Sequence, residues 1–79
     1  MSLRQILIEV FSKSTIPEEI NTLKMGDLKE WDSLGNFNLI LAIEQKYAIR
    51  FKIEDLDKLT SVKEIQKSLN DYFSKQQYK

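Results

Sequence analysis

Residues 30–47, Glu30-Trp31-Asp32-Ser33-Leu34-Gly35-Asn36-Phe37-Asn38-Leu39-Ile40-Leu41-Ala42-Ile43-Glu44-Gln45-Lys46-Tyr47, decide the fold. Asp32 and Ser33 are both preferred helix N-caps, so a helix is predicted from about Ser33 to Tyr47 with one of the two as its cap. At about 100° per residue, Leu39, Ile40, Ile43 and Tyr47 form a stripe wide enough to face a core. Leu34, Phe37 and Leu41 form a neighbouring stripe, while Asn38, Gln45 and Lys46 fill only part of the remaining surface. The helix is therefore apolar over more of its circumference than a surface helix in a small bundle needs. Phe37 reads as packed between neighbouring elements. Leu34 and Leu41 read as a partly exposed apolar patch, suited to a protein or ligand contact.

On the N-terminal side, Leu3, Ile6, Leu7, Val10 and Phe11 recur at helical spacing and predict a first helix from about Ser2 to Lys13. Ser2 and Gln5 form a capping-box start. Ser14 to Asp32 has no sustained period. It carries the single Pro (Pro17) and Gly26, with apolar anchors at Ile16, Ile20, Leu23, Met25, Leu28 and Trp31. It reads as a long ordered loop pinned to the core, and loops of that length in small domains are often functional. Trp31 is the largest of its anchors. On the C-terminal side, Ala48 to Phe51 looks extended and a short helical turn follows around Ile53 to Asp57. A last helix opens at Thr60-Ser61, with Glu64 completing a capping box from Ser61. Val62, Ile65, Leu69, Tyr72 and Phe73 form its apolar face. The predicted fold is all-α: a small up-down helical bundle of three main helices plus one short helix. It is a single domain over residues 1–79, structured from about 2 to 73, with a polar frayed tail at 74–79 that includes Tyr78.

Composition narrows the chemistry. The 79 residues hold 12 Lys plus Arg, 12 Asp plus Glu, no His and no Cys. Without Cys there is no disulfide, thiolate nucleophile or Cys-type metal site. Without His there is no Ser-His-Asp triad and no side chain that ordinarily titrates near neutral pH. Most self-contained enzyme chemistry is excluded, and no catalytic residue or metal ligand set is predicted. A net charge of zero gives no field that draws nucleic acid or anionic lipid. With 42% apolar and 30% charged residues the chain reads as globular. The longest apolar run, Leu39 to Ile43, is far short of a membrane span, and Met1 to Ile6 shows no signal-peptide pattern. A cytoplasmic monomer is the expectation.

The start of the central helix has a second use. A helix N-terminus presents unpaired amides and the positive end of the dipole, which favour a phosphate. Ser33 stands where a phosphate ester would be held, and Asp32 beside it can help hold Mg²⁺ during transfer. Trp31-Asp32-Ser33-Leu34-Gly35, the helix Phe37 to Tyr47, Ile49-Arg50-Phe51 and the later Leu59-Thr60-Ser61-Val62-Lys63-Glu64-Ile65 together resemble the acyl carrier protein family. The likeness covers Trp31 to about Leu69. It implies that a phosphopantetheinyl transferase, using coenzyme A, attaches 4′-phosphopantetheine to Ser33. The terminal thiol of that arm then holds acyl groups as thioesters for acyl-loading and acyl-transferring enzymes. It further implies that Asp32 belongs to the transferase and metal environment, and that Leu34, Leu41 and Glu44 face partner enzymes. Leu39, Ile40, Ile43 and Tyr47 would line an interior where an acyl chain tucks.

The pattern also departs from that family. Carriers of fatty acid synthesis crowd this helix with acids, whereas here Asn36, Asn38, Gln45 and Lys46 occupy the corresponding face. Weaker steering toward basic partners follows, and a dedicated biosynthetic pathway fits better than housekeeping fatty acid synthesis. The Gly-Gly-x-Ser pattern of peptide-synthetase carriers is replaced by Trp31-Asp32. A reading from a different class is an unmodified helical interaction module docking through Leu34, Phe37 and Leu41. A DNA-binding helix-turn-helix is disfavoured by the scattered Lys and Arg. Glu54, Asp55 and Asp57 lack the glycine and spacing of an EF-hand and read as a solvated acidic face.

Overall fold

The computed structural model describes residues 2–76, with side chains described through residue 74. Four helices follow in order: α1 (Leu3–Val10), α2 (Ser33–Tyr47), a 3-10 helix (Ile53–Lys58) and α3 (Val62–Gln76). Among the described residues the only β pairing is an isolated antiparallel bridge between Lys24 and Ser61. The fold is all-α, with three longer helices and one short one. No helix among the described residues is long and apolar enough to cross a membrane.

One apolar cluster joins the elements. It takes Leu3, Ile6, Leu7 and Phe11 from the first helical region, Leu39, Ile40 and Ile43 from α2, and Val62, Ile65 and Leu69 from α3. α1 opens where the Ser2 hydroxyl accepts the Gln5 amide at 3.2 Å. It stops at Val10, short of the predicted Lys13. The cause is local. Phe11 leaves helical geometry (φ −106°, ψ 57°) and lays its ring on Trp31, centroids 5.5 Å apart. The Lys13 amide and the Ser14 hydroxyl then turn to the Glu30 carboxylate, at 3.1 and 2.9 Å.

The long loop is held near its start and at its middle, because a loop packed on a core must find partners for its backbone. Arg4 donates to the carbonyls of Pro17 (2.9 Å) and Ile16 (3.0 Å). The Met25 amide donates to the Thr60 carbonyl (2.7 Å) and the Val62 amide to the Leu23 carbonyl (2.9 Å), which fastens the loop to the entry of α3. Ile16, Ile20 and Trp31 are buried, and Leu23, Met25 and Leu28 pack half-buried against the core, as expected of apolar anchors.

α2 spans the predicted residues. Its C-terminus turns on Ala48, which takes a left-handed conformation (φ 56°, ψ 47°) and sends its amide to the Glu44 carbonyl. Ala48 therefore does not belong to the predicted extended segment. In α3 the Ser61 hydroxyl accepts the Glu64 amide at 3.2 Å, the serine half of the predicted capping box. Phe73 was expected on the apolar face but is 40% exposed. Its ring meets those of Tyr47 and Tyr72 edge-on, at 6.1 and 5.6 Å. Helix α3 continues through Gln76. The rest of the expected tail, 77–79 with Tyr78, lies outside the described residues.

Candidate functional site

The N-terminus of α2 is shaped by three neighbours in sequence. Asp32 is the N-cap: its Oδ1 accepts the Gly35 amide at 2.8 Å. Its other oxygen has no hydrogen bond among the described residues. With the capping role filled by Asp32, Ser33 becomes the first helical residue. Its side chain is exposed and its hydroxyl has no hydrogen-bond partner among the described residues. The Ser33 and Leu34 amides likewise find no acceptor there, as expected for a first turn. The result is an open hydroxyl, next to a carboxylate, at the positive end of a 15-residue helix.

This division of labour gives a prediction. Asp32→Ala should lower stability by about 0.5–2 kcal/mol, because it strands the Gly35 amide. Ser33→Ala should change stability by less than about 0.5 kcal/mol, since nothing is bonded to its hydroxyl. Urea melts of the two variants check this; the reverse ranking would show that Ser33 is the true cap.

Beside Ser33 a cleft of about 260 Å³ runs between α2 and the 3-10 helix, lined by Ser33, Asn36, Phe37, Ile40, Leu56 and Asp57. Of the four residues expected to line an acyl chain, only Ile40 borders it. Leu39 and Ile43 are fully buried in the packed core. Tyr47 is half-buried at the other end of α2, on a separate cleft with Leu3, Leu69 and Phe73.

Phe37 does not pack between elements as expected. It is 54% exposed, and with Leu34 at 68% and Leu41 at 47% it makes one stripe on α2, within about 60° of arc by helical geometry. The 3-10 helix leaves the cleft open instead of closing over the ring. Glu44 has a structural attachment: its Oε2 accepts the Phe51 amide at 2.8 Å, holding the chain as it leaves α2. It shares the wall of a second cleft, about 430 Å³, with Leu41, Arg50 and Tyr72.

Two residues at the site were undervalued by the sequence. Asn36, assigned to the polar face, is buried between Trp31 and Leu59. Its position three and four residues before Leu39 and Ile40 places it on their stripe, and that was the available signal. Gly35 is fixed by contact. A Cβ there would overlap the Glu30 carbonyl oxygen and come within 3.2 Å of the Phe11 ring; nothing in the local pattern foretells that crossing.

No family model matches the chain, and no curated protein or solved structure matches it.

Proposed function

We propose that this protein is a stand-alone acyl carrier with Ser33 as the attachment point of a 4′-phosphopantetheine arm, and with no catalytic activity of its own. The observation that supports the reading is the exposed, unpartnered Ser33 hydroxyl at the first turn of α2, freed from capping by Asp32. The residues present suit such a group. A phosphodiester on Ser33 would lie near the free first-turn amides, and the cleft of apolar walls begins at the same residue. When attached, the arm supplies the thiol that this chain, with no Cys, lacks, and so holds acyl groups as thioesters.

The chain's own part is placement. Asp32 holds the first turn through the Gly35 amide, and its second oxygen would be available to a transferase-bound Mg²⁺. Attack of the Ser33 oxygen on coenzyme A forms the phosphodiester, the adenosine bisphosphate half leaves, and the serine proton passes to solvent or the transferase. Leu34, Phe37 and Leu41 present an apolar stripe beside that site for acyl-loading and acyl-transferring enzymes. Within α2 the charged residues are Glu44, bonded to Phe51, and Lys46, paired with Glu9 at 3.4 Å. Docking there rests on apolar contact more than on steering by charge, as suits a monomeric carrier in a dedicated cytoplasmic pathway. Neither nucleic acid nor a membrane is among the proposed partners.

The same stripe favours a second reading, an unmodified interaction module docking through Leu34, Phe37 and Leu41. One experiment separates them. Incubation with coenzyme A and a broad-specificity phosphopantetheinyl transferase should add the mass of one phosphopantetheine to the wild type and none to Ser33→Ala. A folded wild type that gains nothing with several transferases leaves the interaction module as the better account.

A further inference from the structure

Asn36 is the only buried polar side chain among the described residues, and it lies one helical turn from Ser33. Its Oδ1 accepts the Trp31 indole N–H at 2.9 Å. Its Nδ2 donates to the Leu59 carbonyl at 3.0 Å, and its backbone amide donates to the Asp32 carbonyl at 2.8 Å. The bond to Asp32 is the ordinary helical one; the side chain, carried on the first turn of α2, joins the loop two residues before Ser33 to the residue that closes the 3-10 helix.

An apolar side chain of similar volume would fill this space without desolvating an amide, so packing alone does not account for Asn36. What the amide adds is direction: each bond fixes one segment relative to the next. The 3-10 helix buries none of its own residues; half-buried Leu56 and fully buried Leu59 hold its end to the core, and the bond to the Leu59 carbonyl sets the direction of that end relative to α2. Leu56 and Asp57 of that helix and Ser33 and Asn36 of α2 line the same cleft.

Resting on the reading of Ser33 as the attachment point, we infer that Asn36 is a positioning residue. It sets how the Ser33 hydroxyl is presented to the transferase, and it couples that presentation to the 3-10 helix. The test uses the full chain as Asn36→Leu and as Trp31→Phe, which keeps an aromatic ring but removes the indole donor. Folding is checked by a cooperative melt. With coenzyme A and a broad-specificity phosphopantetheinyl transferase, kcat for Asn36→Leu should fall on the order of tenfold or more. KM for the carrier should stay within about twofold, a split that a loss of stability alone would not give. Trp31→Phe should lie between. Amide exchange in Asn36→Leu should quicken at Gly35 and at Leu59 together.

Folded variants with wild-type kcat overturn the inference. If Asn36→Leu does not fold, Trp31→Phe decides alone, and wild-type kcat there overturns it as well. A wild type that accepts no phosphopantetheine defeats the attachment reading instead. In that case the exchange data still judge the coupling, and quickening at only one of the two segments overturns it.

Discussion

Gly35→Ala should lower stability by about 3 kcal/mol or more, toward or beyond the upper end of ordinary overpacking. The added Cβ would overlap the Glu30 carbonyl oxygen, lie 3.1 Å from the Glu30 carbonyl carbon and 3.2 Å from Phe11 Cε1. The atom in the way is backbone, so no rotamer change relieves it. Glu30 has little room to move, because its carboxylate accepts both the Lys13 amide and the Ser14 hydroxyl. The next residue is Trp31, fully buried. For a domain of this size the loss corresponds to a fall in Tm of more than about 10 °C. A thermal melt by circular dichroism checks it; a Tm within about 2 °C of wild type would mean that the loop and α2 are not packed this closely.

Trp31→Ala should be as damaging or worse. Trp31 is the largest fully buried side chain, and truncation of such a residue costs about 3–5 kcal/mol. The change also removes the ring stacked on Phe11 and leaves the buried Asn36 Oδ1 without its donor, itself about 1–3 kcal/mol and not simply additive. A chain of 79 residues has a total stability of only about 4–12 kcal/mol, so much of the population should unfold at modest urea. Trp31→Phe keeps a ring against Phe11 but also strands Asn36 Oδ1, so it should cost less than Trp31→Ala while still losing about 1–3 kcal/mol. Equal denaturation midpoints for Trp31→Ala and wild type would contradict the placement of Trp31 as the anchor that joins loop and core.

Much of this was legible in the sequence, for reasons particular residues make plain. The bounds of α2 follow from a cap residue at one end and the loss of helical period at the other, both local signals. The Ser2 and Ser61 starts are short-range patterns of the same kind. Leu34 and Leu41 were read as exposed because the helix has more apolar surface than one core can take. Phe37 was misplaced, since hydrophobicity alone does not say how far the 3-10 helix stands from α2. Asn36 was misplaced for the opposite reason: residue type was weighed above its register with Leu39 and Ile40. The early end of α1 depends on Phe11 meeting Trp31 across the long loop, a contact between residues far apart in sequence. Ser33 itself was ambiguous, because D-S at a helix start leaves either residue free to cap. The bond from Gly35 to Asp32 resolves it.

The central claim is that the Ser33 hydroxyl is open and carries the arm. Its most direct measurement is a peptide-level mass spectrum of the full chain after reaction with coenzyme A and a phosphopantetheinyl transferase. One phosphopantetheine should be found, on the peptide spanning 30–37 and on Ser33 within it. A folded chain with that peptide unmodified, or with the arm on any other serine or threonine, would contradict the account.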